Sequence, residues 1–454
     1  MSHRLRPLSR LLPVGTVRFD SATLRTNSGD AWMASALPEA VAFPRNTAQV
    51  SKILAFCHRL RIPVTTRGGG RGYVGGCVPV RGGLVLSTVR MNRVLEISKS
   101  DGVAVVQPGV ITAKLASAAA RKNLFYPPDP ASLKESTLGG NIATNAGGPR
   151  CLKYGVTRNY VLGLEIVLAD GTVVRLGGRT HKNRTGFDLV GLFTGSEGML
   201  GIVTEATLRL LPLPPARSAL LAEFTSLPKA AAAVQKILGA GLLPSALEIA
   251  DPFTLAAARK VNHRAPRCES LLIVEFDGQP AAVKAELALA SRLLRPSASR
   301  LAPATGFRAC EKLWQIRRGF SYALRDTGLV KLNEDVTVPR GRILDLFRLT
   351  ARLQKKHRVP ISSFGHAGDG NIHVNLMAPA GTRSDDPRMR RILDELFHGV
   401  LSMRGVISGE HGIGLAKKPW WEKAAPAELR RLHQKIKKAI DPSWQLNPGK
   451  FLPS

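Results

Sequence analysis

The sequence predicts an α+β protein with two domains and a closing segment. Three observations carry this reading. Short strand and helix patterns alternate between residues 40 and 115, a proline run at 212–215 separates two textures of sequence, and two long glycine-rich loops interrupt the first half. A chain of 454 residues is long enough for two or three domains with a large core.

In chain order, AVAFP reads as a strand. NTAQVSKILAFCHRLR reads as an amphipathic helix with Asn46 or Thr47 at its start. IPVTTRGGG is a strand running into glycine, GLVLSTV and GVAVVQPG are further strands, and ITAKLASAAARKN is helical. LEIVLADGTVVRL predicts a hairpin whose Asp170-Gly171 pair is a two-residue turn. GMLGIVTEATLRLLPLPP closes this region, giving a first domain over 1–213 with lobes at about 1–100 and 101–213. Strand and helix patterns from SALLAEF to ILDLFRLTARLQKKH then predict a second domain over 214–400, an antiparallel sheet with helices on one face. Residues 401–454 return to helix and loop and end in QLNPGKF.

Composition narrows the function. Apolar residues are 44% and charged residues 22%, the range of an ordinary globular protein. No apolar run approaches the roughly 18 residues of a membrane span. The basic start MSHRLRPLSRLLPVGTVRF reads as a short tail, with an organelle-targeting peptide as the alternative. Five cysteines show no C-x-x-C spacing, so any iron–sulfur cluster belongs to a partner, and scattered thiols suit a cytoplasmic, reducing compartment. A net charge of +32 attracts anions: small acids, anionic lipid or an acidic protein. With 6% aromatics and no nucleic-acid module, no nucleic-acid partner is expected. The basic stretch KKPWWEKAAPAELRRLHQKIKKAI reads as a solvated helical face.

RGGGRGYVGGC, residues 67–77, holds a G-x-G-x-x-G match from Gly70 to Gly75, but no helix pattern follows it, so the dinucleotide-fold context fails. Two readings stand: successive backbone N–H groups cradling a pyrophosphate with help from Arg67 and Arg71, or a turn at a sheet edge. PPDPASLKESTLGGNIATNAGGPR, residues 127–150, is a second loop of small residues that lets backbone approach a large flat ligand. Two such loops point to a dinucleotide held extended across a groove.

These loops, followed by KYGVTRNYVLGLEIVLADGTVV, KNRTGFDLVGLFTGSEG and MLGIVTEATLRLLP, closely resemble the FAD-binding domain of the vanillyl-alcohol-oxidase, or PCMH, type. The resemblance covers about residues 30–454. Within that type the chain resembles the group of D-lactate dehydrogenases, D-2-hydroxyglutarate dehydrogenases and glycolate oxidase FAD subunits. It implies a two-lobed FAD domain, a ferredoxin-like α+β cap, and a C-terminal helical segment that returns to the FAD domain. It also implies that Arg67, Gly68, Gly69, Gly70, Arg71, Gly72, Gly75 and Gly76 hold the pyrophosphate. Pro128, Asp129, Ser136, Thr137, Gly140, Asn141 and Thr144 would line the rest of the cofactor. Ile202 and Asn447 would face the ring. Arg71 departs from the group, which has a small polar residue there. The first loop has no histidine, so non-covalent FAD is expected.

FGHAGDGNIHVNLM, residues 364–377, supplies the chemistry. His373 and Asn375, two apart on a strand, share a face, and the HAGDGN turn folds His366 back toward them. ISGEHGIG adds Glu410 and His411. Two imidazoles and a carboxylate make a facial site with open positions, suited to Zn, Mn or Fe. The ordinary readings are structural histidines, a turn-forming Asp369 and an exposed Glu410. The resemblance favours the metal site: His366, His373 and Glu410 as ligands, Asn375 on substrate and His411 as general base. Arg317 of KLWQIRRG would bind the substrate carboxylate, and Arg318 fits a solvated face. Asn333 stands where the 2-hydroxyglutarate enzymes place a lysine, which favours lactate or glycolate, with Lys331 nearby.

The expectation is an FAD-dependent 2-hydroxy-acid dehydrogenase, with a glycolate-oxidase-like subunit or an alkyl-glycerone-phosphate-synthase-like transferase as alternatives. Its electron acceptor would be quinone, cytochrome c, an electron-transfer flavoprotein or an iron–sulfur subunit. A homodimer or peripheral association with the inner face of a membrane is also expected, and the basic surface suits an acidic acceptor or anionic lipid.

Overall fold

A computed structural model describes residues 4–32, 34–262, 265–383 and 386–452. The chain divides into two compact units. The first comprises Met1–Gly147, Val156–Leu213 and Glu410–Ser454, and the second comprises Gly148–Gly155 and Pro214–Gly409. The eight-residue excursion at 148–155, at the end of the second glycine-rich loop, thus belongs to the later unit.

In the first unit, β1 (Val17–Arg18), β2 (Ala40–Ala42), β3 (Val64–Arg67) and β4 (Leu84–Ser87) form a sheet in the order β1-β2-β4-β3, parallel except at β1. Strands β2 and β4 are buried along their whole length, so both of their faces are covered. The helix Thr47–Arg59 supplies Val50, Ile53, Leu54 and Cys57 to that core, and Asn46 caps it by accepting from the Gln49 N–H. Next come β5 (Val94–Ser98), β6 (Val103–Val106), the short β7 (Leu124–Phe125), β8 (Val161–Val167), β9 (Val173–Gly177), β10 (Ile202–Arg209) and β11 (Leu211–Pro212). Five of these form an antiparallel sheet in the order β5-β6-β10-β8-β9, and β7 pairs with β11.

Three local expectations are corrected here. The β8–β9 connection is not a two-residue turn. Leu168 N–H reaches the Thr172 carbonyl and Gly171 N–H the Leu168 carbonyl, so three residues form the loop, with Gly171 at φ +93°. This is the type I turn plus glycine bulge, which the same Asp-Gly pair also serves. The basic N-terminus is not a loose tail: Leu5, Leu8 and Leu12 are buried in the core with Val50 and Ile53. Their spacing puts three leucines on one face, which the arginines between them disguise. Within the second glycine loop, Leu138–Thr144 is helical because Leu138 and Ile142, one turn apart, are both buried.

In the second unit, β12 (Ala216–Phe224), β13 (Ala246–Ala250), β14 (Ser270–Gly278), β15 (Arg300–Thr305), β16 (Val330–Thr337), β17 (Ile361–His366) and β18 (Asn371–Ala378) form one sheet. The order is β15-β12-β14-β13-β17-β18-β16, with every pair antiparallel. The expected helices on one face become helices on both. Helices Pro252–Val261 and Phe307–Arg325 pack on Leu221, Leu271, Ile273 and Phe364. Residues of the opposite parity, Leu220, Ala222, Leu272 and Val274, are equally buried, and helices Leu227–Gly239 and Pro280–Leu294 contact the same strands. The strands therefore lack alternation, which hid the second layer from periodicity.

The basic C-terminal stretch is only partly the solvated face expected. Lys435 and Lys438 of the helix Ala427–Ile440 are exposed, but Lys437 is fully buried. Its ammonium donates to Asp441 and to the Met199 and Leu446 carbonyls. Among the described residues no helix is long and apolar enough to cross a membrane.

Candidate functional site

The first constellation lies in the first unit, where the two glycine-rich loops meet. A Cβ on Gly68 would stand 2.4 Å from Thr137 Oγ1, and one on Gly69 would stand 2.6 Å from the Glu135 carbonyl oxygen. Glycine is required there because the second loop lies directly against the first. Gly69 N–H donates to Thr137 Oγ1 at 3.3 Å. Beside this seam, Gly69, Gly109, Ile111, Lys114 and Thr137 help to line a cavity of about 360 Å³. Gly76, by contrast, has open space around it.

The returning segment lies on the same loop. Leu415 and Ala416 N–H both reach the Val74 carbonyl, and His411 sits with its ring 5.0 Å from that of Tyr73. Glu197 accepts from Ile413 N–H at 2.8 Å and Gly414 N–H at 2.9 Å. Burial pushes its carboxyl up, against the pull of these two N–H groups and of Lys450 and Lys417. Asn447 donates to the Gly76 carbonyl at 3.0 Å and the Glu197 carbonyl at 2.7 Å, while its buried Oδ1 has no protein partner.

Not every expected cofactor residue faces open space. Arg67 donates to the Gly29 and Thr26 carbonyls and to Cys77 Sγ, so its guanidinium braces the loop from within. Arg71 pairs with Glu135 at the surface, 2.8 Å away. Ser136 and Asn141 both bond the buried Thr112 hydroxyl, and Thr144 bonds the Gly140 carbonyl. Pro128 is buried and Asp129 half-buried. Ile202 belongs to the apolar core with Val167 and Leu446. Gly70 has the Arg67 guanidinium where its side chain would be, and Gly72 and Gly75 face Asp30 and Trp32. The cradle is thus mostly backbone. An extended dinucleotide fits it: the cavity, the open flank of Gly76 and the unpartnered Asn447 Oδ1 supply space and a polar contact.

The second constellation is a sheet face in the second unit. Register sets Asn333 opposite Asn375, Asp335 opposite His373, Phe364 opposite His373, and Glu248 opposite His366. Directly opposed residues share a face, so these side chains converge although they come from four strands. The His366 and His373 rings lie 5.3 Å apart at 81°. His366 Nδ1 lies 2.6 Å from Glu248 Oε1, and Arg317 Nε donates to Glu248 Oε2 at 2.5 Å. The Arg317 guanidinium also stands 4.7 Å from the centre of the Phe364 ring. Burial would raise the Glu248 carboxyl, but His366 and Arg317 together hold it down to about 2. Arg318, as expected, pairs outward with Glu311.

Asn375 is fully buried with Oδ1 unpartnered, and Asn333 Oδ1 is also buried and unpartnered. Lys331 donates to Ser321 at 2.7 Å. Burial, then Arg325 and Arg317, push its ammonium down to about 8.

Gly409 ends this unit. Its N–H donates to Asp335 at 2.7 Å, and a Cβ there would collide with Asn371 and Thr337. One peptide bond later in the chain stands Glu410. Two imidazoles on one face, one of them braced by the Glu248 carboxylate, are donors that suit a divalent ion.

Sequence reasoning passed over Glu248, Asp335, Glu197 and Tyr73. A signal existed for the first: Glu248 is the one acid in the apolar strand ALEIA, and a charge inside an apolar strand requires a partner.

Comparison with known proteins agrees with this anatomy. The family described as FAD binding domain matches residues 38–177, and FAD linked oxidases, C-terminal domain, matches residues 213–451. The glycolate oxidase subunit GlcD of Bacillus subtilis is 39% identical over 418 residues, 91% of this chain and 89% of that protein. A D-lactate dehydrogenase of Archaeoglobus fulgidus is 37% identical over 415 residues, 90% of each. Among solved structures, p-cresol methylhydroxylase with substrate bound aligns at a TM-score of 0.82 over 99% of this chain and 96% of that one. At 18% identity it shows the fold alone. The chain therefore belongs to the FAD-linked oxidases and is an FAD-dependent oxidoreductase.

Proposed function

We propose that the protein oxidises a small D-2-hydroxy acid of the D-lactate or glycolate kind to the 2-oxo acid. The pairing of His366 and His373 on one sheet face, beside an Arg317 braced by Glu248, supports this best. In this reading His366, His373 and Glu410 hold a Zn, Mn or Fe ion, and the glycine-loop cradle with Asn447 holds FAD without a covalent bond. The ion supplies Lewis acidity toward a hydroxyl, and the flavin supplies a two-electron acceptor for the α-carbon hydride.

The chain's own residues do the rest. Arg317 has Nε fixed on Glu248, which leaves its two Nη groups to grip the substrate carboxylate as a fork. Asn375 Oδ1 accepts a hydrogen bond from the bound acid. The His411 imidazole takes the hydroxyl proton, a step typically worth about 10² to 10⁴ in rate. Loss of that proton and of the hydride leaves the 2-oxo acid.

The relatives named glycolate oxidase subunit favour a second element, an electron-accepting partner such as an iron–sulfur subunit. Quinone, cytochrome c and an electron-transfer flavoprotein are the other acceptors. The fold likeness to alkyldihydroxyacetonephosphate synthase, at 19% identity, carries no chemistry by itself.

The test is anaerobic. Purified yellow protein mixed with D-lactate or glycolate is expected to lose its yellow flavin absorbance as the flavin is reduced. Protein that contains FAD but is bleached by no 2-hydroxy acid would overturn the reading.

A further inference from the structure

Glu248 sits at the junction of two groups that the proposed function uses separately. It is 2% exposed, on the central strand β13, and both of its oxygens are engaged. Oε1 meets His366 Nδ1 and Oε2 meets Arg317 Nε. The guanidinium is further clamped over Phe364.

We infer that Glu248 is a positioning residue that locks the cation ligand and the carboxylate fork into one unit. An ionised carboxylate accepts only, so His366 must carry its proton on Nδ1 and present Nε2 to the cation. The same carboxylate holds the Nε edge of Arg317, so the Nη edge faces outward. One buried charge thereby orients the atom that would bind the metal and the atoms that would bind substrate. This inference rests on the proposed metal reading and goes beyond it by assigning a role to a residue that touches neither ligand.

The neighbouring Glu275 provides a control. It too is fully buried on the same sheet, but its partners are Ser245, Trp314, Arg217 and Arg150. Loss of its charge costs stability as any buried pair does, without touching His366.

The experiment compares full-length holoenzyme of the wild type, Glu248→Gln, Glu275→Gln and His366→Ala. Protein stripped with a chelator is titrated with Zn²⁺ against a chromophoric competitor, and flavin absorbance reports folding. Glu248→Gln is expected to weaken Zn²⁺ binding about ten- to a hundredfold and to raise KM for the hydroxy acid, with flavin content unchanged. Glu275→Gln is expected to leave Zn²⁺ affinity within about twofold. Zn²⁺ affinity unchanged in Glu248→Gln but lost in His366→Ala would overturn the inference while sparing the metal reading. Affinity unchanged in both would overturn the two together. If Glu248→Gln does not fold, nitrogen-15 spectra of histidine in the wild-type holoenzyme decide: a proton on His366 Nε2 rather than Nδ1 overturns the inference.

Discussion

The glycine-loop cradle of the first unit and the polar sheet face of the second solve opposite problems. The cradle is defined by what its residues lack: Gly68 and Gly69 are small because a neighbouring loop occupies the space, and the nearby arginines are tied up elsewhere. The sheet face is defined by buried charge, with Glu248, Asp335, His366 and Arg317 each held by a specific partner. The difference teaches where each is vulnerable. Volume is critical in one, charge and hydrogen-bonding geometry in the other.

The largest test of that contrast removes a ligand from the sheet face. His366→Ala or Glu410→Gln is expected to lower kcat roughly a thousandfold, as several kcal/mol of transition-state stabilisation disappear. Flavin content should hold, so turnover and absorbance measured on one sample separate chemistry from cofactor binding. Bound flavin lost in parallel would erase the contrast between the regions. Next in size, Arg317→Lys keeps the charge but loses the fork. KM for the hydroxy acid is expected to rise about tenfold or more, with a smaller change in kcat.

Gly68→Ala probes the cradle. The added methyl meets Thr137 Oγ1, and a loss of about 1–3 kcal/mol in denaturant unfolding is expected, with lowered flavin occupancy. Turnover per bound flavin should stay near wild type.

A pH experiment separates the regions by charge alone. Lys331 has a folded pKa of about 8, below its ordinary 10.5, so the native state binds its proton less tightly than the unfolded chain does. Its burial cost is fully present below pH 8 and fades as pH rises to 10.5. Lys331→Met is therefore expected to be more stable than wild type at pH 7, with the gap closing between pH 8 and 10.5. A gap that widens over that window would contradict the assignment. The smallest effect is local: Asn46→Ala removes the cap of the helix Thr47–Arg59 and should cost about 1 kcal/mol in thermal unfolding, without changing flavin content or KM.

Much of the first unit was legible because its signals are local. Asn46 begins a helix, Asp170-Gly171 makes a hairpin, and glycines mark close backbone contact. The buried leucines of the basic N-terminus escaped notice because arginines outnumber them in the reading window. Arg67 was readable as a charge in a loop, but not its turn inward to the Gly29 carbonyl, since that partner lies 38 residues away.

By itself, the sequence determined the α+β class, the two glycine loops, and the ligand-type residues on ISSFGH and NIHVNLMA, because each depends on spacing within a turn or a strand. Only the tertiary structure decided which carboxylate stands behind which imidazole. Glu248 and His366 are 118 residues apart, and they meet because strand register sets β13 beside β17, a choice fixed by the packing of the whole sheet rather than by any short segment.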